Sequence, residues 1–256
     1  MKTYRADLHI HSCLSPCADL DMSPRAIAEV SVERGLDIVA LCDHNSAENA
    51  GAAIRAGAQR GITVIPGMEI STKEEVHLLA LFREEAQALA MQQIVYEHLR
   101  GTNRPELFGD QIVANEMDEV EGFNDRRLIG ATLLSFQEVI REIHRLEGLC
   151  IASHVDRPSF SLLSQLGFVP PDSALDGVEI SRPMQRDELV AQFPGLEKLP
   201  MVFSSDAHFI KDIGRLFTML SLEVPNLDEL RMALEGKGGR RIVDERAEVK
   251  ISPRMR

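Results

Sequence analysis

Eight histidines, at positions 9, 11, 44, 77, 98, 144, 154 and 208, carry most of the chemistry this sequence could perform. Six of them fall in or at the end of short apolar runs that read as strands, and acids accompany them. Asp7-Leu8-His9-Ile10-His11 is an H-x-H, and Leu41-Cys42-Asp43-His44 ends a second run. Pro66-Gly67-Met68-Glu69 ends a third, and Val76-His77-Leu78-Leu79 sets an imidazole within a fourth. Ile151-Ala152-Ser153-His154 ends another, and Ser204-Ser205-Asp206-Ala207-His208 gives a D-x-H. Strand side chains alternate, so His9 and His11 project to one side. An imidazole in an apolar strand loses its hydration unless its nitrogens find partners. A divalent ion supplies such a partner, and a mixed imidazole–carboxylate set suits zinc, manganese or iron. A single buried histidine is more often a hydrogen-bonded core residue; six segments ending alike are not explained that way.

These residues need a scaffold that gathers strand ends. Strands are expected over residues 6–11, 38–42, 63–66 (ending near Glu69), 76–82, 149–153, 177–180, 201–205 and 218–222, alternating with helices. The helices are expected over 23–34, 46–59, 84–99, 135–146 and 227–234, the first with Ser23 as N-cap, Pro24 at its first position and Gly35 as its stop. Residues 101–130 are polar and broken by glycines, and read as an excursion, a hairpin, outside the main layers. No repeat or linker divides the chain, so residues 1–256 read as one α/β domain. Seven or eight strand units favour a parallel barrel over an open sheet, and a barrel brings the carboxyl ends of its strands to one face.

Composition narrows the function. The formal net charge is −12, which opposes extended duplex binding but not a small anionic substrate held by local metal charge. No apolar run approaches the roughly 18 residues that span a bilayer, and the first stretch lacks a signal-peptide segment. Cys13, Cys17, Cys42 and Cys150 are too few to staple a chain of this length. A cytoplasmic protein is expected.

In this set of motifs the chain resembles the PHP (polymerase and histidinol phosphatase) family: the H-x-H, the D-H, the Glu closing a third strand, the later strand-end His and the terminal D-x-H occur in order from Asp7 to His208. The resemblance implies a distorted (βα)7 TIM-like barrel and two or three divalent ions, Mn, Zn or Fe. It implies that His9, His11 and Asp206 hold one ion, and that Glu69 bridges to a second completed by His77 and His154. Asp19, His44 and His208 would hold the third. Asp43 would orient a ligand from behind. The loop at 12–21 is longer than usual for the family and offers both Asp19 and Asp21; its distance from Ser23-Pro24 favours Asp19. Cys13, Cys17 and Cys42 lie close by, and a buried cysteine is commonly a small apolar residue, with thiolate ligation as the alternative.

The implied reaction is hydrolysis of a phosphate ester by a metal-bridging hydroxide, with Glu69, Asp206 and His208 as the catalytic groups. Its substrate would be a small phosphomonoester or the end of a nucleotide or short oligonucleotide. Arg157, three residues after His154, offers a forked donor for phosphate, and Arg182 is a second candidate. His98 and His144 lie on amphipathic helices and read as ordinary boundary residues. The acidic run 116–121 reads as a solvated turn, and the basic segment 236–256 as peripheral. Two other functions compete. An amidohydrolase acting on a C–N bond would bridge its metals through a modified lysine, and no lysine closes an apolar strand here. A non-catalytic PHP module would be expected to have lost ligands, and none is missing.

Overall fold

A computed structural model describes residues 1–183, 186–192 and 195–243. The chain runs β1 (Lys2–Ile10), α1 (Pro24–Glu33), β2 (Ile38–Leu41), α2 (Ala50–Ala58), β3 (Thr63–Ser71), β4 (His77–Leu81) and α3 (Glu85–His98). A short α4 (Pro105–Phe108) leads into β5 (Ile112–Ala114) and β6 (Val120–Phe123). Then follow α5 (Phe136–Arg145), β7 (Leu149–Ala152), α6 (Leu162–Leu166), β8 (Gly177–Ile180), α7 (Arg186–Gln192) and β9 (Met201–Phe203). A 3-10 turn (Ile210–Asp212), β10 (Thr218–Leu222), α8 (Leu227–Leu234) and β11 (Arg241–Ile242) complete it.

The main sheet is ordered β11-β10-β1-β2-β3-β4-β7-β8-β9. A bridge between Ile10 and Ala207, with the His11 amide 3.0 Å from the Ala207 carbonyl, carries the segment after β9 back to β1 and nearly closes the sheet. Seven strands thus form the expected distorted barrel. It is not parallel throughout: β4 runs antiparallel to both β3 and β7. His77 is therefore at the amino end of its strand, and that reversal brings it to the face where its neighbours end. The second departure is β1, which begins four residues earlier than the alternation suggests, because Lys2–Ala6 pair antiparallel with β10.

A β-bulge between Asp7 and Ile10 shifts the register of β1 on β2. Ala6 and Leu8 pack in a cluster with Ala40, Leu79, Ile151 and the α8 residues Leu230 and Leu234. Ile10 packs instead with Ile27 of α1 and Ala53 of α2. A bulge re-aims the side chains beyond it, and here it separates the apolar part of the strand from the H-x-H.

Helix ends follow local chemistry. Ser23 accepts the Ala26 N–H at 3.1 Å ahead of Pro24, and Gly35, at φ 70°, ends the turn after α1. Ser135 and Glu138 form a capping box on α5, whose Phe136, Val139, Ile140 and Ile143 repeat at helical spacing and are buried. α2 starts at Ala50, later than residue 46, and the side chain of its N-cap Asn49 is engaged elsewhere: its amide donates to Ser12 Oγ at 2.9 Å and the Ile112 carbonyl at 3.0 Å. The excursion does contain an antiparallel hairpin, β5–β6, and the acidic run forms its turn. Arg246, Lys250, Arg254 and Arg256 of the basic segment lie outside the described residues. Among the described residues no helix is long and apolar enough to cross a membrane.

Candidate metal centre

Glu69 sits at the centre of the site. Its Oε1 is 3.0 Å from His77 Nδ1, 3.0 Å from His154 Nε2 and 3.6 Å from His9 Nε2. Its Oε2 is 3.0 Å from His44 Nδ1 and 3.5 Å from His11 Nε2. Five imidazoles from β1, β2, β4 and β7 thus surround one buried carboxylate on β3. Asp206 closes the ring, with Oδ1 3.1 Å from His11 Nε2 and 3.3 Å from His9 Nε2. His208 stacks on His11, ring centroids 4.1 Å apart, and its Nδ1 lies 2.9 Å from the Asp206 carbonyl. His154 and Asp206 adopt left-handed backbone, φ 29° and 50°. Non-glycine residues hold that conformation at a cost of order 1–3 kcal/mol, and such strain gathers at functional sites.

The surroundings fix the tautomers. His9 Nδ1 lies 3.0 Å from Glu179 Oε2, so it carries the proton and donates. Ser15 donates its hydroxyl to Asp43 at 2.7 Å, and therefore accepts from His11 Nδ1 at 2.9 Å. Both Nε2 lone pairs then point at one another, 3.0 Å apart. Two lone pairs repel at that distance unless a positive charge lies between them. The titration behaviour agrees. Burial pulls His9 down, but the carboxylates of Glu179, Asp206 and Glu69 outweigh it and hold the imidazole well above its ordinary value. Burial and the neighbouring His208 push His11 well below. Against burial, His77, His9 and His44 hold Glu69 well below the carboxylate range. His154 Nδ1 is buried without a hydrogen bond, and His44 Nδ1 faces only the Glu69 carboxylate. Converging imidazole nitrogens, opposed lone pairs and a central carboxylate fit a divalent-ion cluster.

Three groups could each hold an ion: His9, His11 and Asp206; His44, Glu69 and His77; His11, His44 and His208. The first has the members named from the resemblance, the second has His44 where His154 was expected, and the third has His11 where Asp19 was. Asp19 and Asp21 are not brought into them. Both are exposed, and Asp19 accepts the Asp21 N–H at 3.1 Å. The thiol of Cys17, two residues before Asp19, lies against His44 and His208. The residue is exposed, yet the packing around its sulfur pushes the thiol up, and those two imidazoles bring it down to about 6. Cys13 and Cys42 are buried. Asp43 stands behind the site as expected, accepting from the Ser12 amide and from the hydroxyls of Ser12 and Ser15.

Arg157 reaches the centre: its Nη1 pairs with Asp206 Oδ2, the oxygen turned away from the imidazoles. Arg182 is tied to Asp156 through Nε at 2.9 Å and Nη2 at 2.6 Å. Both line a cleft of about 320 Å³, together with Arg215, Ser181 and Ser205. His98 and His144 lie apart, bonded to the Ile94 carbonyl and to Asp176.

Two buried acids were given no role from the sequence. Glu179 is fully buried in β8 and orients His9 while accepting the His154 amide at 3.1 Å; a charge within Gly177-Val178-Glu179-Ile180 was its signal. Asp7 accepts the amides of Ser205 and Gly214, and burial raises it to about 6. It anchors the segment that bears Asp206.

Comparison with known proteins gives the same fold. The chain resembles the lesion-specific endonuclease of Pyrococcus furiosus with a TM-score of 0.67 at 20% identity, over 94% of this chain and 58% of that one. A metal-dependent phosphoesterase described as such from Bifidobacterium adolescentis superposes with a TM-score of 0.54 at 19% identity, over 79% of this chain and 87% of that one. In sequence, a 5'-3' exoribonuclease of Haemophilus influenzae is 35% identical over 82 residues, 31% of this chain and 29% of that protein. An uncharacterized protein of Methanocaldococcus jannaschii is 27% identical over 73% of this chain and 86% of its own. The model of a PHP-associated region matches residues 191–237. That of the PHP domain matches residues 7–165, more than half of the chain and every strand end from His9 to His154, and the chain belongs to the PHP domain family of metal-dependent phosphoesterases.

Proposed function

We propose that this site hydrolyses a phosphomonoester or the terminal phosphate linkage of a nucleotide or short oligonucleotide, using two or three divalent ions. The supporting observation is one buried carboxylate, Glu69, with imidazole nitrogens of His9, His11, His44, His77 and His154 all within 3.6 Å. His9, His11 and Asp206 would hold one ion and Glu69, His77 and His154 a second, with His44 and His208 beside a third. Such ions, when bound, activate water and neutralise charge on phosphate oxygens.

The chain's own groups do the rest. Glu179 and Ser15 keep the Nε2 lone pairs of His9 and His11 directed inward. Arg157 presents a half-exposed guanidinium at the edge of the cluster, where a phosphate can take over its contact with Asp206. Arg182 and Arg215 make the adjoining cleft cationic, which suits a substrate with more anionic character than one ester. Nucleic-acid ends fit that cleft, in keeping with the exoribonuclease and endonuclease among the similar proteins. The net charge of −12 favours a short strand over extended duplex contact. Every described lysine is exposed, so none bridges ions as the amidohydrolase alternative requires. Four free cysteines accord with a cytoplasmic setting.

Protein purified without chelator should contain about two to three ions per chain; elemental analysis giving well below one defeats the proposal. Loaded with manganese and offered a panel of phosphorylated metabolites, nucleotides and short oligonucleotides, it should turn over at least one. His9→Ala, Glu69→Ala and Asp206→Ala should abolish that turnover, and His98→Ala and His144→Ala should not. Equal loss in all five variants, with circular dichroism intact, contradicts the site.

A further inference from the structure

The loop between β1 and α1 gives the third ligand set a sulfur donor. We infer that Cys17, together with His44 and His208, binds the third ion as a thiolate, in place of the carboxylate of Asp19; this rests on the metal-dependent reading above. The thiol lies against both imidazoles. The nitrogens of His44 and His208 also converge with His11 within 4.8 Å of one another. His44 is 6% exposed, and its Nδ1 faces Glu69 Oε2 at 3.0 Å, which leaves Nε2 for this ion.

The loop is built to hold this arrangement. Ser15 is fixed from both sides, donating to Asp43 and accepting the His44 amide at 3.1 Å. The Ala18 amide then closes a turn onto the Ser15 carbonyl at 2.9 Å, and the Asp19 amide bonds the His208 carbonyl at 2.9 Å. Cys17 lies between those two anchors. The same bonds turn Asp19 outward, where its carboxylate closes a turn onto Asp21. On the far side, a Cβ at Gly109 would come within 2.6 Å of the Pro16 carbonyl, so the excursion presses directly against this loop.

Three protein donors, two imidazoles and a thiolate, leave a fourth position open, the pattern of a zinc site that exchanges a ligand. The thiol proton leaves to solvent as the ion binds, so the step conserves charge without any oxidant. A thiolate favours zinc or cobalt over magnesium or calcium at this position.

Cobalt loading of the full chain after chelation tests the assignment without an assay of turnover. Wild type and Asp19→Ala should show the near-ultraviolet charge-transfer absorption of a thiolate–Co(II) bond, and Cys17→Ser should lack it. Elemental analysis of Cys17→Ser should show one ion lost, with those around Glu69 retained. Cys17 is the single exposed cysteine, so iodoacetamide should alkylate it in chelated protein and be blocked by zinc. A bound cluster with no thiolate absorption, absorption that survives in Cys17→Ser, or alkylation indifferent to zinc overturns the assignment and leaves the Glu69 cluster standing. A chain that binds no ion overturns both.

Discussion

At the scale of single residues, the centre depends on groups that aim the ligands as much as on the ligands themselves. Glu179 contacts His9 with both oxygens, at 3.1 and 3.0 Å, and touches no other candidate ligand side chain. Glu179→Gln keeps an acceptor but removes the charge that makes His9 a stronger donor to an ion. Loss of such a partner typically weakens metal affinity about 10- to 100-fold, measurable by competition with a chromophoric chelator. Unchanged affinity would mean that Glu179 serves packing alone. Arg157 acts on the substrate side. A hydrogen bond to a charged group contributes about 1.5–3 kcal/mol, so Arg157→Ala should lower kcat/KM roughly 10- to 150-fold with metal content unchanged. Arg157→Lys should restore only part, because an ammonium lacks the fork. Wild-type kinetics in Arg157→Ala across several substrates would show that the cluster holds phosphate without it.

At the scale of elements, the decisive feature is the close approach of β3 and β4. A Cβ at Gly67 would lie 2.7 Å from the Ala80 carbonyl and 3.1 Å from Cys42 Sγ. Only glycine permits this pairing, and Glu69 lies two residues further along. Gly67→Ala should destabilise the fold by about 1–3 kcal/mol, lowering Tm by roughly 2–4 °C per kcal/mol for a chain of this size. It should also lower activity at temperatures where the protein remains folded, since the strain reaches Glu69. An unaltered melting curve would show that β4 can yield. The β5–β6 excursion buttresses the site in a similar way. Asn49 and the Ile112 amide, bonded to the Cys13 carbonyl at 3.0 Å, tie it to the loop that carries Ser15 and Cys17.

At the scale of the whole molecule, ion binding, protonation and stability are one equilibrium. In the ion-free protein the carboxylates of Glu179, Asp206 and Glu69 favour a proton on His9, at the nitrogen that faces His11, whereas burial and His208 disfavour one on His11. An ion entering between the two imidazoles must displace that proton. Below the raised value of His9, a range that includes pH 6.5, each unit of acidification should therefore weaken apparent metal affinity about tenfold. Above that value the dependence should flatten. Affinity that is level on both sides would place the ion elsewhere. The same linkage makes the ions stabilising: at a free concentration one hundred times Kd they add about 2.7 kcal/mol. Chelation should lower Tm, and zinc or manganese should restore it.

The candidate ligands were legible in the sequence because a charged or imidazole side chain inside an apolar strand needs a partner. His9, His11, His44, Glu69, His77, His154 and Asp206 announced themselves in that way, and the period of strand and helix gave the order of elements. Glu179 obeyed the same rule but lacked a neighbouring histidine to draw notice. What the sequence could not decide was direction and contact at a distance. Nothing local says that β4 runs antiparallel, because the strand pattern reads the same both ways; only its pairing with β3 and β7 places His77 at the right end. Asp19 and Cys17 are two residues apart in one irregular loop, where no periodicity reports orientation. Backbone bonds to Ser15 and His208, the latter nearly two hundred residues away, turn the acid outward and the thiol in. Tertiary structure made that choice, because only the assembled strands supply those bonds.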